Sequence, residues 1–404
     1  MLRYENGWFV EKVPVDLIAE KYGTPTYVYS AAQMDAAIMR VMESVEGLPA
    51  TVFFACKANN NPLLLNYFHQ KGLWMDVVTM GEYQIALRSG VKPERIVVNG
   101  NGKTLLDIET WLNDGVFAIN IDSKEEYGLI VENGLTGERG TRFFLRVNPD
   151  VDSRTHPYIS TGLKKNKFGI PMEEAQKLLQ EDHLPVSGIH MHIGSSIQEI
   201  APFKEAMEKL LSFKERNPQI QMVNFGGGWG IDYGHAGSGF DLNRFREEIG
   251  PLLRQFRCPI FLELGRYIVA SAGLLLSKVL YLKQTPYKRF LVCDANMASL
   301  IRPALYQAEH MVVPLIQKWE KRQKMTVDVV GALCETGDIL AYNRSLEELI
   351  PGEHIAILDT GAYGYSMSSN YNGTFRPAEV LVNDEKTRLI RKRETVDDLL
   401  RLID

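Results

Sequence analysis

The sequence predicts two kinds of structure in one chain, an α/β unit built as a (β/α)8 (TIM) barrel and an all-β unit. Between about residue 50 and residue 264, eight short apolar runs alternate with amphipathic, helix-like segments. Eight strand–helix repeats over roughly 210 residues are what such a barrel requires. After residue 270, runs rich in Val, Ile and Leu are separated mostly by turn residues, which is typical of an all-β unit.

The predicted barrel strands are short apolar runs that occur in regular succession. They are residues 51–56, 74–79, 95–98, 116–121, 142–147, 186–192, 221–226 and 259–263. An open doubly wound sheet is the competing fold, and the strand count favours the barrel.

The predicted strands of the second unit follow the barrel. They are residues 274–283, 289–293, 326–330, 354–358 and 378–382. The N-terminal residues also look extended, so they are expected to join this unit. We therefore predict a barrel domain at 33–271 and a β-sandwich or β-barrel domain formed by 1–32 and 272–404.

Composition excludes several classes of partner. The 404 residues are 45% hydrophobic and 24% charged, with a formal net charge of −5, which gives no reason to expect nucleic acid or an anionic membrane surface. The N-terminus has no basic segment followed by an apolar one, and no apolar run approaches the ~20 residues of a membrane span. The four cysteines are far apart, which argues against a zinc site or disulfide framework. A cytoplasmic protein is expected.

Lys57 closes the first predicted barrel strand. Burying an ammonium group without a partner is costly, so the side chain either extends to water or is kept there for its amine. A desolvated amine has a lowered pKa and can form a Schiff base with an aldehyde. On position alone, extension to water is the more common explanation.

Other chemically distinctive residues follow later strands of the predicted barrel. They are His190, His192 and Ser195 after the sixth strand, Gly226–Gly228 after the seventh, and Glu263 and Arg266 after the eighth. Catalytic groups of such barrels gather at the carboxyl ends of the strands, and phosphate is often held after strands seven and eight. We therefore expect these residues at one rim, together with Lys57.

Each of these residues also has a simpler interpretation. Glycines let backbone N–H groups approach a phosphate, but a glycine run is often only a turn. His190 and His192 face the same side of a strand, as in some metal-dependent hydrolases, although packed and hydrogen-bonded side chains explain His190 equally well. Asp76 is expected either to orient a neighbouring group or to cap a helix.

Glu263 ends an apolar strand, where a carboxylate is costly unless it is paired. Arg266 is one candidate partner. The alternative is the ring nitrogen of a pyridine cofactor, which a carboxylate keeps protonated. A pyridinium ring absorbs the electron pair left when a carboxylate departs as CO2, so this choice favours decarboxylation.

The whole set of motifs resembles the fold-type III pyridoxal-phosphate decarboxylases, and most closely those that act on diaminopimelate. The resemblance runs over nearly the full chain. It rests on the segments that begin at Phe54 (FACKAN), Val147 (VNPDV), Thr155 (THPYISTGL), Asn166 (NKFG), His190 (HMHIGS), Asn224 (NFGGG), Ile301 (IRPALY), Cys334 (CETGD) and Gly361 (GAYGYSMSSNY). It implies a pyridoxal 5'-phosphate enzyme that converts meso-2,6-diaminopimelate to L-lysine and CO2, the last step of lysine synthesis.

The resemblance also implies roles for individual residues. Lys57 would carry the cofactor, His192 would stack on its ring and Glu263 would meet its nitrogen. The phosphate would be held by Ser195, Gly226, Gly227, Gly228 and the backbone of Gly265 and Arg266. In the family's homodimer, whose active sites are shared at the interface, Cys334 would be the proton donor and would arrive with Glu335 from the second subunit, and Tyr363 would lie beside cofactor and substrate.

The expected substrate carries an amino-acid group at each end. Arg266, Arg302 and Tyr306 suit the carboxylate of the non-reacting end, and Glu335 suits its ammonium. Arginines at this end would repel a substrate that ends in a bare cation. A surface salt bridge is the simpler explanation for Arg302.

Two questions stay open. The family usually has proline after the glutamate of strand eight, where this chain has Leu264; this loosens a backbone segment expected to contact phosphate and predicts weaker cofactor affinity. Besides diaminopimelate decarboxylation, three functions remain as alternatives: action on a related or carrier-linked amino acid, metal-dependent hydrolysis, and cofactor binding without catalysis. Retention of Lys57 and Cys334 argues against the last.

Overall fold

A computed structural model describes residues 1–153, 167–317 and 321–403, and these divide into two compact units. The barrel unit comprises Met39–Ile231 and Gly239–Arg266. The β unit comprises Met1–Ile38, Asp232–Ser238 and Tyr267–Asp404. The boundaries 33 and 271 of the predicted domains stay predictions.

The strands of both units are numbered together along the chain. They are β1 (Leu2–Tyr4), β2 (Trp8–Val10), β3 (Val13–Pro14), β4 (Thr26–Ser30), β5 (Ala50–Ala55), β6 (Trp74–Val77), β7 (Ile96–Val98), β8 (Ala118–Ile121), β9 (Arg142–Asn148), β10 (Ile170–Pro171), β11 (Val186–His190), β12 (Met222–Asn224), β13 (Ile260–Glu263), β14 (Gly273–Gln284), β15 (Arg289–Cys293), β16 (Val312–Pro314), β17 (Lys324–Val330), β18 (Ile339–Glu347), β19 (His354–Ile357), β20 (Ala378–Asn383) and β21 (Lys386–Arg391).

The helices are numbered in the same way. They are α1 (Val15–Tyr22), α2 (Ala31–Ser44), α3 (Pro62–Gln70), α4 (Met80–Arg88), α5 (Leu105–Asp114), α6 (Lys124–Glu132), α7 (Met172–Glu181), α8 (Ala201–Glu215), α9 (Leu242–Arg244), α10 (Gly250–Gln255), α11 (Arg266–Val269), α12 (Arg302–Tyr306) and α13 (Val396–Leu400). Across the described helices, none is both long enough and apolar enough to span a lipid bilayer.

The barrel is closed. Its parallel strands run in the order β9–β11–β12–β13–β5–β6–β7–β8, and β8 pairs back onto β9, while the two-residue β10 extends β9. Each of the eight predicted strands overlaps one observed strand, so the (β/α)8 prediction is confirmed and the open doubly wound sheet was the wrong alternative.

Side-chain caps set where several barrel helices begin. Asn61, Thr79, Thr104 and Ser123 each follow a barrel strand and accept a hydrogen bond from a backbone N–H in the first turn of the next helix. Such caps satisfy N–H groups that have no partner within the helix. They therefore fix the short turns that carry the residues at the strand ends.

The β unit is all-β apart from short helices, as predicted. Its described strands form one sheet of nine, in which the long β14 pairs with β4, β15 and β19, and a small sheet of three, β1–β2–β3. The N-terminal strand β4 lies between β14 and β20 and is buried along its whole length. The expectation that the N-terminus joins this unit is confirmed.

Candidate active site

The lower half of the barrel interior is filled by large apolar side chains. Buried Phe53, Phe117, Phe144 and Phe261 form one cluster with two smaller residues, and partly buried Trp74 and Met222 pack against it. A Cβ at Gly188 on β11 would lie 2.4 Å from the Phe144 ring, so a glycine is required to make room for that ring. This packed layer closes the barrel below the strand ends.

Two residues further along, the interior becomes polar on seven of the eight strands; on β5 this position is Ala55. A side chain at position i+2 points to the same face as the one at position i. The residues at these second positions are Asp76, Asn99, Asn120, Arg146, His190, Asn224 and Glu263, all of them buried. The barrel thus carries a ring of polar groups directly under its carboxyl-terminal rim.

Glu263 is the best-connected member of this ring. Its Oε1 accepts hydrogen bonds from the side-chain amides of Asn224 (2.7 Å), Asn99 (2.9 Å) and Asn120 (3.4 Å), and His190 Nε2 lies 3.1 Å from Oε2. Burial raises the pKa of this carboxyl group, but His190 and the hydrogen bond from Asn99 lower the pKa of Glu263 to about 2. The side chain is therefore a carboxylate.

Asp76 lies close enough to Glu263 to influence its charge state. Asn99 Nδ2 donates to Asp76 Oδ1 (2.7 Å) as well as to Glu263. Burial, followed by repulsion from Glu263, raises the pKa of Asp76 to about 8. The helix-capping alternative for Asp76 was wrong, since Thr79 caps α4.

The two histidines after the sixth barrel strand both have a lowered pKa. His190 is buried and bonded to Glu263, which confirms the packed, hydrogen-bonded interpretation. Burial lowers the pKa of His190, and burial followed by the Lys57 ammonium lowers the pKa of His192 well below its usual value. The Gly227 N–H donates to His192 Nδ1 (3.2 Å), so the ring proton of neutral His192 is on Nε2.

Lys57 lies just beyond the end of β5, in a short 3-10 turn (Cys56–Ala58). Its neighbours Cys56 and Ala58 are buried, but the Lys57 side chain itself is exposed. Its charge acts on the buried Asp76 and on His192, whose pKa values it lowers.

The glycines after β12 are needed for packing. A Cβ at Gly226 would lie 2.4 Å from the Met191 carbonyl oxygen, one at Gly227 1.8 Å from that of Glu263, and one at Gly228 2.1 Å from that of Gly194. The three residues therefore bring the turns after β11 and β13 against the turn after β12. Their contact with a phosphate stays a prediction.

Ser195 and Arg266 are joined directly. Arg266 Nη2 donates to Ser195 Oγ (2.9 Å), whereas the partners of Glu263 described above are amides and His190. The pairing of Arg266 with Glu263 considered from the sequence is therefore not the arrangement found. Leu264 donates its N–H to the Phe53 carbonyl (2.8 Å), a bond that proline at this position could not make.

Arg302 lies in the β unit and is buried, so its surface salt-bridge interpretation was wrong. Arg302 Nη1 is 2.9 Å from His310 Nε2, and the guanidinium carbon lies 4.6 Å from the centre of the Tyr233 ring. Tyr306, at the end of the same short helix, is half-buried.

Cys334 and Glu335 are exposed on a loop of the β unit. The loop is held by Asp338, whose carboxylate accepts hydrogen bonds from the N–H groups of Leu333 (2.8 Å) and Met297 (2.6 Å). Tyr371, a residue that the sequence did not single out as functional, donates its hydroxyl to Glu335 (3.3 Å). Tyr363 adopts a left-handed backbone conformation, with φ of 58°.

The structure thus gathers the predicted residues in two groups. In the barrel unit, Lys57, His192, Ser195, Gly226–Gly228, Glu263, Gly265 and Arg266 follow the carboxyl ends of parallel strands. In the β unit lie Arg302, Tyr306, Cys334, Glu335 and Tyr363. The amides of Asn99, Asn120 and Asn224 were missed, although each occurs as a polar residue at the end of an apolar strand. The motif from Thr155 to Leu163, and Asn166, lie outside the described residues.

Comparison with known proteins identifies this arrangement. Residues 31–270 match the family model described as the pyridoxal-binding domain of pyridoxal-dependent decarboxylases. The chain belongs to this family. It is 43% identical to the diaminopimelate decarboxylase of Pseudomonas aeruginosa, over 97% of this chain and 95% of that one. It is 40% identical to the diaminopimelate decarboxylase of Aquifex aeolicus, over 98% and 96% of the two chains.

A solved structure agrees over both units. The diaminopimelate decarboxylase of Methanocaldococcus jannaschii, determined with L-lysine, superimposes with a TM-score of 0.90 and 35% identity, covering 100% of this chain and 98% of that chain. As a member of this family the chain is a pyridoxal 5'-phosphate enzyme. The resemblance read from the sequence is confirmed.

Proposed function

We propose that this chain decarboxylates meso-2,6-diaminopimelate to L-lysine and CO2 with pyridoxal 5'-phosphate as cofactor. The observation that carries the proposal is similarity over both units, at 36–43% identity, to proteins named diaminopimelate decarboxylase. The similarity includes the β unit, where the buried Arg302 supplies a cation suited to a second carboxylate.

The polar ring of the barrel fits a pyridoxal cofactor. Three amides and His190 hold Glu263 as a carboxylate, which is the form that pairs with a protonated ring nitrogen. Once bound, the cofactor supplies an electron sink for the bond that breaks when CO2 leaves. We assign Glu263 the role of keeping that sink in its cationic form.

Lys57 and His192 have the properties that their roles require. Lys57, which follows the end of β5 at the rim, is assigned to covalent attachment of the cofactor's aldehyde through its amine. Neutral His192, fixed by the Gly227 N–H, is assigned to the face of the cofactor ring. A neutral imidazole can lie against a cationic ring without charge repulsion.

The phosphate is assigned to the turns after β11, β12 and β13. Ser195 offers a hydroxyl that is already oriented by the Arg266 side chain, and Arg266 is assigned to the phosphate through its backbone. Gly226–Gly228 and Gly265 are assigned to the same site because they let the phosphate approach the backbone; the N–H groups of Gly226 and Gly227 themselves donate to Asn224 Oδ1 (2.9 Å) and His192 Nδ1 (3.2 Å). Hydrogen bonds to a doubly charged phosphate are stronger than those between neutral groups.

The non-reacting end of the substrate is assigned to Arg302, Tyr306, Arg266 and Glu335. Arginine binds a carboxylate through two parallel hydrogen bonds, and Glu335 pairs with an ammonium. Tyr363 is assigned to the space beside cofactor and substrate.

Cys334 is assigned as the proton donor to the carbon that has lost CO2. Its thiol is exposed, on a loop held by Asp338. We propose that the protein is a homodimer in which Cys334 and Glu335 complete the site of the other subunit. We further propose a cytoplasmic location, where thiols such as the four free cysteines stay reduced.

A substrate panel tests the function. Purified protein is incubated with meso-diaminopimelate, L-lysine or L-ornithine, and released CO2 and the amine product are measured. We expect CO2 and L-lysine from meso-diaminopimelate, and no product from the Lys57→Ala control. Product from L-lysine or L-ornithine, with none from meso-diaminopimelate, would reject the substrate assignment.

A further inference from the structure

We propose that Tyr233 and His310 are positioning residues that hold the Arg302 guanidinium ready for the second carboxylate of the substrate. The inference rests on the proposed function, because it assigns a structural basis for recognition of the non-reacting end. All three residues belong to the β unit.

His310 fixes one edge of the guanidinium. Its Nδ1 lies 2.8 Å from the Leu358 carbonyl oxygen, which can only accept, so Nδ1 carries the ring proton. Nε2 is then an acceptor, and Arg302 Nη1 donates to it across 2.9 Å. Both partners allow only this one tautomer, so the buried imidazole is a neutral support for the arginine.

Tyr233 fixes the face of the guanidinium. The guanidinium carbon lies 4.6 Å from the ring centre, within the range of a cation–π contact. The Tyr233 ring also meets the His310 ring edge to face, with centroids 5.3 Å apart. Edge and face of Arg302 are thus held by two side chains that contact each other.

The segment that carries Tyr233 is itself anchored. Asp232 accepts hydrogen bonds from the N–H groups of Gly237 (2.5 Å) and Ser238 (3.2 Å), which closes residues 232–238 into a compact loop. His235 Nε2 lies 2.8 Å from Asp359 Oδ2. Asp359 directly follows Leu358, whose carbonyl oxygen orients His310. These two adjacent residues therefore anchor both His310 and the loop that carries Tyr233.

Neutral supports suit a group that must bind an anion. A hydrogen bond to an imidazole and contact with an aromatic face orient the guanidinium without neutralising its charge. An oriented arginine loses less conformational freedom when a carboxylate binds, so the support increases affinity for that end of the substrate. We therefore expect Tyr233 and His310 to affect KM and specificity, and to have little effect on kcat.

Matched substitutions test each support. His310→Asn keeps a donor near the Nδ1 position but removes the acceptor for Arg302, whereas His310→Gln places an amide oxygen near the Nε2 position. Tyr233→Leu removes the aromatic face and Tyr233→Phe keeps it. We expect His310→Asn and Tyr233→Leu to raise KM for meso-diaminopimelate about tenfold with kcat within about twofold, and Gln and Phe to stay near the wild type.

A control and a second readout separate positioning from general damage. Tyr342→Leu removes another cation–π contact of the β unit, the one with Lys288, and should leave KM unchanged. Inhibition by L-lysine, which retains the non-reacting carboxylate, should weaken in parallel with KM, while inhibition by cadaverine, which lacks it, should not change. Equal weakening for both inhibitors, or an unchanged KM in His310→Asn and Tyr233→Leu, overturns the inference.

These outcomes differ from failure of the proposed function. A wild-type enzyme that does not turn over meso-diaminopimelate rejects the function and, with it, this role for Arg302. Turnover by the wild type with unaltered KM in both variants rejects the positioning role alone. If Tyr233→Leu does not fold, the His310→Asn and His310→Gln pair still decides the matter.

Discussion

Asp76 and Glu263, two buried carboxyl groups of the barrel, receive hydrogen bonds from the same amide nitrogen. Asn99 Nδ2 is 2.7 Å from Asp76 Oδ1 and 2.9 Å from Glu263 Oε1. Two carboxylates this close do not ionise together easily. His190 and Asn99 lower the pKa of Glu263 to about 2, whereas burial and repulsion from Glu263 raise that of Asp76 to about 8, so Glu263 carries the negative charge and Asp76 is protonated at neutral pH.

We expect Asp76→Asn to change how stability depends on pH. The pKa of Asp76 is about 8 in the folded protein and near ~4 in an unfolded chain, so folded wild type retains a proton that the unfolded chain releases between these values. Its free energy of unfolding should therefore fall, relative to the variant, as pH rises through this window. Urea titrations across that pH range measure the difference. Asp16→Asn, at an exposed position, is the control, and parallel pH profiles for wild type and Asp76→Asn would contradict the prediction.

Glu263→Gln should separate catalysis from cofactor attachment. The amide cannot carry the negative charge that keeps a pyridine nitrogen protonated, so we expect kcat to fall about 100-fold or more. Lys57 is unchanged, so the visible absorption of the bound cofactor should persist. Full activity in this variant would show that Glu263 does not act on the cofactor ring.

Lys57→Ala should abolish covalent attachment of the cofactor. We expect loss of the visible absorption band and of measurable decarboxylation. Borohydride reduction of the wild type followed by peptide mass analysis should place the cofactor on residue 57. Lys71→Ala, at another exposed lysine of the barrel unit, is the control and should behave like the wild type. A label on a different lysine would contradict the assignment.

Mixed dimers should show whether sites are shared. Lys57→Ala and Cys334→Ala are each expected to be inactive or nearly so, because each lacks one chemical group. If Cys334 completes the site of the other subunit, mixing the two under conditions of subunit exchange should restore up to about a quarter of wild-type activity for random pairing. A mixture no more active than its components would indicate that each site is built within one subunit.

Gly227→Ala should destabilise the rim. An added Cβ would lie 1.8 Å from the Glu263 carbonyl oxygen, so the turns after β12 and β13 must separate. We expect a loss of about 2 kcal/mol or more in the free energy of unfolding, together with weaker cofactor binding. Gly102→Ala, where an added Cβ meets nothing within 4 Å, is the matched control. Equal stability of the two variants would contradict the packing explanation.

The strand pattern made the barrel predictable from sequence. Each predicted strand is a run of apolar residues long enough to cross the barrel wall, and none of these runs depends on distant partners for its recognition. The site residues that followed strand ends, such as Lys57 and His192, could be placed by the same count. Their charge states could not, because these depend on burial and on neighbours that only barrel closure supplies.

The roles of the three asparagine amides around Glu263, and the position of the loop at 232–238, could not be predicted from the sequence. Asn99, Asn120 and Asn224 each resemble ordinary turn residues after a strand, and their common target, Glu263, is evident only when the strands surround one interior. Residues 232–238 lie within the barrel part of the sequence but belong to the β unit, because Tyr233 and His235 contact residues near positions 302–310 and 359. Contacts between residues so far apart in the sequence produce no local sequence pattern from which they could be predicted.

The position of β4 has a consequence for biosynthesis. This strand is among the first segments to leave the ribosome, yet the two strands that flank it, β14 and β20, are synthesised some 250 and 350 residues later. Until then this apolar segment of the nascent chain has no neighbouring strand to pair with. The barrel can close during translation, whereas the other unit is completed only near chain release, and general chaperones that cover apolar segments should therefore affect the yield of active enzyme.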